Sequence, residues 1–321
     1  MSWAETTLLH FIAMAEIMCG LVVNGFITIA KLMDWWGGRK LKPFDKIFFS
    51  LGLSRLILLF FTLLNIINRA FSLNFYHINV LTRFLNTVYL FLDFSSLWFT
   101  MWISVLYFIK VVIFKNTLLI RMKLKIPELV KYVVLSSMFV SFVSAFIFAY
   151  NFEGASDIMI PPRNKATNTS VDKQIIYLAP SYAFGHFLPF ILVSVSSLFL
   201  IEAIYVHVRR LTSNITSFST PNMDVHFSAI HSAVMLEVMT VFNLIVTILI
   251  RFDFYDFFNK GILFLFAVAY PILHSVALIA GNAKLKKLAL GTLKCGAVRT
   301  LCTKPQGNVQ EDTITTQQTK V

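Results

Sequence analysis

Charge is scarce in this chain. Of 321 residues only 14% are Asp, Glu, Lys or Arg, while 57% are hydrophobic, a balance far from that of soluble domains. Water is therefore not the main solvent, and one integral-membrane domain is expected. Cysteine is scarcer still: Cys19, Cys295 and Cys302 fall on a helix and on the tail in the topology derived below, so no extracellular disulfide is expected. The tail pair stays open between S-palmitoylation and free thiols. No Lys or Arg precedes the first apolar run, and that run is too long for a signal core, so the first helix is expected to act as its own insertion signal. The chain lacks a Gly-rich phosphate loop, a His-Glu-x-x-His pair, a Gly-x-Ser-x-Gly turn and any Cys/His cluster at metal spacing. No enzyme, cofactor or metal is expected. The last apolar stretch, Gly261 to Gly281, has no lysine for a retinal Schiff base. A nucleic-acid partner is excluded too: the net charge of +12 comes from short loops, not from one basic soluble face.

What the chain has is phenylalanine, 33 of them, and a mean hydropathy of +0.73, which exclude a disordered chain. Seven apolar stretches approach or exceed the roughly 20 residues that cross a ~30 Å hydrocarbon core. They run over 8–32, 47–68, 84–113, 129–150, 177–206, 229–250 and 260–281. The fold class expected is an all-α membrane protein, a seven-transmembrane helix bundle. It divides into a short extracellular N-terminus (1–7), the bundle (8–281) and a cytoplasmic tail (282–321). Orientation follows from the Lys and Arg count. The side of the C-terminus carries 20, including Lys31, Lys46, Lys110, Lys125, Arg209, Arg210 and Lys284; the opposite side carries 7. That puts the tail in the cytoplasm and the N-terminus outside. Asn168-Thr169-Ser170, a glycosylation sequon after helix 4, then falls outside. Lys284 to Leu293 reads as a short amphipathic helix on the inner leaflet, with membrane lipid as its partner. Thr319-Lys320-Val321 fits a C-terminal ligand for a PDZ-domain protein.

A charge at membrane depth costs several kcal/mol on insertion scales, so each one needs a partner or a role. Candidates are Glu16, Arg55, Asp93, Glu237 and His274. At about 1.5 Å per residue, Arg55 and Asp93 are nearly level, and a pair between them is feasible. Glu237 and His274 are level as well, either as a satisfied interior pair or as a protonation-sensitive switch. Pro189 and Pro271 each free a backbone carbonyl and permit a kink.

Seven helices with an outside N-terminus describe a G protein-coupled receptor, and particular residues narrow the class. His274-Ser275-Val276-Ala277-Leu278-Ile279-Ala280-Gly281-Asn282-Ala283-Lys284-Leu285-Lys286 resembles the helix 7 signature of the taste receptor type 2 proteins, the bitter receptors. Five further segments agree in order: Asn24-Gly25-Phe26-Ile27, Leu51-Gly52-Leu53-Ser54-Arg55, Leu106-Tyr107-Phe108-Ile109-Lys110, Leu188-Pro189-Phe190 and His226-Phe227-Ser228-Ala229. The resemblance covers nearly all of residues 10 to 290. It departs at His231, where many members carry lysine, at Lys115, where serine is common, and at Asp93, where many have asparagine.

The resemblance implies a plasma-membrane, multi-pass receptor. It would bind small-molecule bitter agonists in an outer-half pocket and activate a gustducin-type heterotrimeric G protein. An outer pocket combines aromatic walls with a few polar groups, so the ligand-binding candidates are Tyr89, Leu90, Asp93, Phe94, Tyr182, His186, Asn243, Thr247, Phe264 and Ala267. An ionised Asp93 would favour ligands bearing an amine. Asn24, Arg55, His274 and Ser275 are the expected activation network. Tyr107, Lys110, Arg209, Arg210 and His226 are the expected G-protein-facing residues, with positive-inside anchoring the other reading of Arg209 and Arg210. A vomeronasal-type chemosensory receptor shares the architecture but is not expected to carry the helix 7 signature. A transporter would show internal repeats or broken helices, and no repeat is found here.

Overall fold

The computed structural model describes residues 3–38, 41–70, 79–111, 117–151, 179–213, 223–251 and 260–302. Asn168 and Thr319-Lys320-Val321 lie outside them. The described residues form α1 (Trp3–Trp36), α2 (Pro43–Ala70), α3 (Asn79–Val111) and α4 (Thr117–Asn151). A π-helical turn (Ala183–Phe187) then leads into α5 (Leu188–Ser213), followed by α6 (Met223–Arg251), α7 (Lys260–Gly281) and α8 (Ala283–Cys302).

Six stretches are long and apolar enough to cross a membrane: Thr7–Trp36, Pro43–Asn68, Arg83–Ile109, Lys125–Ala149, Ala179–Ala203 and Gly261–Gly281. In α6 the described side chains form an apolar stretch over Val234–Ile250. Within the described residues, every apolar stretch expected from the sequence falls on a helix, and most helices overrun theirs. The largest extension is in α4, which begins at Thr117 rather than 129. Hydropathy marks only the part that meets lipid, while Leu, Lys, Arg and Met carry the backbone ladder onward because their helix propensity is high.

The burial pattern is that of a protein solvated by hydrocarbon. Val22, Met33, Leu135 and Phe139 are exposed on α1 and α4, while Asn24 and Ser137 on the same helices are buried. Helix α1 packs against α2 and α7; α3 packs against α2, α4 and α5; α6 lies against α5 and α7. Near one end Phe48 and Leu51 of α2 meet Phe99, Ile103 and Leu106 of α3 and Leu278 of α7. Ala13 and Ile17 of α1 pack on Leu59 and Ile66 of α2 and Val268 of α7. The contact there is close: a Cβ on Gly20 would stand 2.7 Å from Leu59 Cδ1 and 2.8 Å from Ile272 Cγ1.

Two local devices shape the ends of these helices. Helix already runs in from residue 179, so Pro189, which has no N–H and crowds the carbonyl one turn back, interrupts the regular α-helical ladder there. The Leu188 N–H instead reaches back five residues to Ala183 O, and a π turn results. The carbonyl of Phe184 is left without a helical donor, and Trp98 Nε1 on α3 donates to it at 3.2 Å. At the α7–α8 junction Asn282 Oδ1 accepts from the backbone N–H groups of Lys284 (3.1 Å) and Leu285 (3.2 Å). It is the N-cap of α8, which gives the Gly281-Asn282 step of the helix 7 signature a structural purpose.

Candidate functional site

A cavity of about 70 Å³ opens among α2, α3, α6 and α7. Of the residues expected to face a ligand, Tyr89, Asp93, Asn243, Thr247, Phe264 and Ala267 line it. Leu58, Leu59, Thr62, Ser96, Val268, Tyr270 and Pro271 complete most of the wall. Sequence patterning pointed at the α3, α6 and α7 faces but missed the α2 wall. Thr62 and Leu58 read there as ordinary membrane-helix residues, and no periodicity distinguishes them.

The other four expected residues sit behind the cavity. Leu90, Phe94 and Tyr182 form a buried cluster with Ala145 and Phe148. His186, 2% exposed, stacks on Tyr182 at a centroid distance of 5.1 Å and meets the Phe94 ring edge-on at 5.0 Å. Gly185 makes this packing possible, because a Cβ there would lie 2.7 Å from the Phe94 ring. The His186 Nε2 stands 3.3 Å from Asp93 Oδ2, and its Nδ1 has no hydrogen-bond partner. Asp93 itself is 26% exposed, so its carboxylate faces both the cavity and the imidazole.

Asp93 does not pair with Arg55. The guanidinium, fully buried, is held by neutral groups: Nε donates to Ser96 Oγ (3.0 Å), Nη1 to Ser275 Oγ (3.0 Å) and His274 Nδ1 (3.0 Å), and Nη2 to Thr100 Oγ1 (3.3 Å). Its carbon lies 5.5 Å from the Tyr270 ring centre, within cation–π range. Ser275 passes the network on, donating to Asn24 Oδ1 at 2.8 Å, and Asn24 Nδ2 donates to Gly20 O at 2.9 Å. The four residues expected as a network are therefore joined across α1, α2 and α7. Helix α3 enters through Ser96 and Thr100, which sequence reasoning missed because hydroxyls in membrane helices usually bond their own backbone. Thr100 does so as well, donating to Ser96 O at 2.9 Å.

The Glu237–His274 contact is also absent. Because Arg55 is a donor, His274 Nδ1 must accept, which makes the ring a neutral imidazole with its hydrogen on Nε2. Glu237 has a buried Oε2 with no hydrogen-bond partner. Depth arithmetic placed these residues on one level but carried no information about the faces they occupy.

At the far end of the bundle Tyr107 is half-buried against Phe44, centroids 5.1 Å apart, and Arg209 is exposed. The side chains of Lys110, Arg210 and His226 lie outside the described residues. Two lysines counted as loop charges are ion-paired instead. Lys31, 1% exposed, donates to Asp45 Oδ1 at 2.6 Å, and Lys284 meets Asp34 Oδ2 at 2.5 Å. Together they tie α1 to α2 and to α8.

Comparison with known proteins agrees with this arrangement. The family model described as "Taste receptor protein (TAS2R)" matches residues 1–297. Taste receptor type 2 member 39 of Macaca mulatta is 28% identical over 88% of this chain and 85% of its own length. Its namesake from Homo sapiens is 26% identical over the same shares. Taste receptor type 2 member 4 of Gorilla gorilla gorilla is 28% identical over 84% of this chain and 91% of its own. With a match over nearly the whole helical bundle, the chain belongs to the taste receptor (TAS2R) family, as a multi-pass membrane receptor rather than an enzyme.

Proposed function

We propose that this chain is a bitter receptor of the plasma membrane, with its N-terminus and Asn168 outside and α8 along the inner leaflet. A small agonist enters the cavity among α2, α3, α6 and α7, and a gustducin-type heterotrimeric G protein meets the opposite end, bordered by Tyr107, Lys110, Arg209, Arg210 and His226. One observation carries the reading: Ser96 lines the cavity and also accepts the Arg55 Nε–H. A ligand that draws on Ser96 therefore competes directly with the network joining α1, α2, α3 and α7.

At about 70 Å³ the cavity takes a few water molecules, well below the ~300 Å³ of the smaller ligand pockets. Agonist binding therefore requires the walls to part, and the ligand acts by its differential affinity for the wider state. Asp93 favours agonists bearing an amine, since its carboxylate meets the cavity and no Lys or Arg among the described residues is hydrogen-bonded to it. The test is ligand-evoked calcium release in cells supplied with a chimeric G protein. A response to at least one compound of a broad bitter panel is expected, weakened in Ser96→Ala; silence across the panel with surface expression confirmed would overturn the reading.

A further inference from the structure

A second concavity lies on the outside of the bundle and is far larger than the first, at about 630 Å³. It runs between α2, α3 and α4, with Ile57 at one end, Phe84, Phe91, Phe142 and Phe146 along its body, and Arg83 at the other end. Its aromatic floor is ordered: the Phe91 and Phe142 rings meet edge-on at 6.2 Å, and Phe142 stacks on Phe146 at 6.1 Å. The Thr87 hydroxyl in its wall is already satisfied, donating to Arg83 O at 2.8 Å. Its single charged group is Arg83, which is exposed. The Arg83 guanidinium makes no hydrogen bond or ion pair among the described residues.

The dimensions fit one class of occupant. From Arg83 to Leu92 the groove follows nine residues of α3, about 13 Å at 1.5 Å per residue. That is close to half of a ~30 Å hydrocarbon core. An apolar trough about one leaflet deep, carrying a cation at the end of the α3 span, suits an acyl chain attached to an anion. A guanidinium binds phosphate oxygens in a fork of two hydrogen bonds. We propose that this groove is a binding site for a membrane phospholipid, one acyl chain lying along Phe84, Phe91 and Phe142 and the headgroup phosphate bound by Arg83. The site is separate from the agonist cavity and stands whether or not the agonist reading holds.

The experiment reconstitutes the full-length protein in phosphatidylcholine nanodiscs doped with a phosphatidylglycerol that carries a photoactivatable diazirine on one acyl chain. Crosslinked peptides are then mapped by mass spectrometry. Labelling is expected to concentrate on peptides spanning 84–92 and 142–149, to fall at least threefold in Arg83→Gln, and to fall further in Val88→Trp, which fills the trough. Arg83 is exposed, so Arg83→Gln retains the wild-type unfolding temperature and keeps the test interpretable if Val88→Trp misfolds. Labelling spread evenly over the lipid-facing helices, or unchanged in Arg83→Gln, overturns the proposal. So does equal labelling by a fatty acid or a diacylglycerol carrying the same diazirine chain, since the occupant would then be a carboxylate amphiphile or a neutral lipid.

Discussion

The cluster around Arg55 and the cluster around Asp93 share α3 and lie about one helical turn apart along it, since Ser96 belongs to the first and Asp93 to the second. Each holds a buried imidazole nitrogen with no hydrogen-bond partner, His274 Nε2 in the first and His186 Nδ1 in the second, but their charged groups differ. The Arg55 guanidinium distributes its donors over Ser96, Thr100, His274 and Ser275, and Ser275 continues to Asn24. Beside Asp93, His186 Nδ1 is buried with no partner, and the carboxylate keeps a face toward the cavity. A buried cation whose three nitrogens are all engaged by side chains from several helices fixes one arrangement of those helices, whereas a carboxylate that faces a cavity can accept a ligand. The first cluster therefore reads as the rigid strut of the bundle and the second as its adaptable end.

Removing Arg55 from the first cluster should do the most damage. Arg55→Met leaves Ser96 Oγ and His274 Nδ1 facing a thioether, while Thr100 and Ser275 keep Ser96 O and Asn24 Oδ1, and each buried polar group without a partner costs about 1–3 kcal/mol. Two such losses together, about 2–6 kcal/mol, are a large part of a typical stability of roughly 5–15 kcal/mol. Surface expression should fall at least tenfold, and the detergent-solubilised protein should unfold far below wild type. A wild-type unfolding temperature would mean that the network is dispensable and would erase the contrast.

In the open cluster the same logic predicts a functional loss without a structural one. Asp93→Asn keeps size and hydrogen-bonding capacity but removes the charge, so amine agonists should lose about 10- to 100-fold in potency, the ~1.4–2.8 kcal/mol of one charge-assisted contact. Neutral agonists should shift less than threefold. Dose-response curves for the two ligand classes decide it, and equal losses would mean that the carboxylate serves the fold.

How much of this was legible in the sequence differs between the two clusters. Asn24, Arg55, His274 and Ser275 stand out because polar residues are expensive in a membrane, and all four meet. Their partners Ser96 and Thr100 carry no such signal, and the rejected Arg55–Asp93 and Glu237–His274 pairs show that equal depth does not mean facing sides. Helix number and extent followed from hydropathy, apart from the polar start of α4. The π turn was half legible: Pro189 announced a disturbed helix, but only the structure shows that Trp98 satisfies the carbonyl of Phe184. That bond links α3 to the open cluster. Trp98→Phe should cost about 1–3 kcal/mol for the unpaired carbonyl, lowering the unfolding temperature while leaving Arg55 and its partners in place.

The smallest effect on stability is the most discriminating. In His186→Phe the ring stack on Tyr182 and the edge contact with Phe94 are kept, while a buried nitrogen without a hydrogen-bond partner disappears. Replacing an unsatisfied polar group by an apolar one of similar shape is close to neutral or stabilising. The unfolding temperature should therefore hold or rise slightly, a result no substitution at Arg55 can give. Asp93 loses the imidazole nitrogen 3.3 Å from its carboxylate at the same time, so the amine-over-neutral preference should change even though the fold does not. A large drop in unfolding temperature would show that His186 is bound into a satisfied network after all, and the two clusters would then be of one kind.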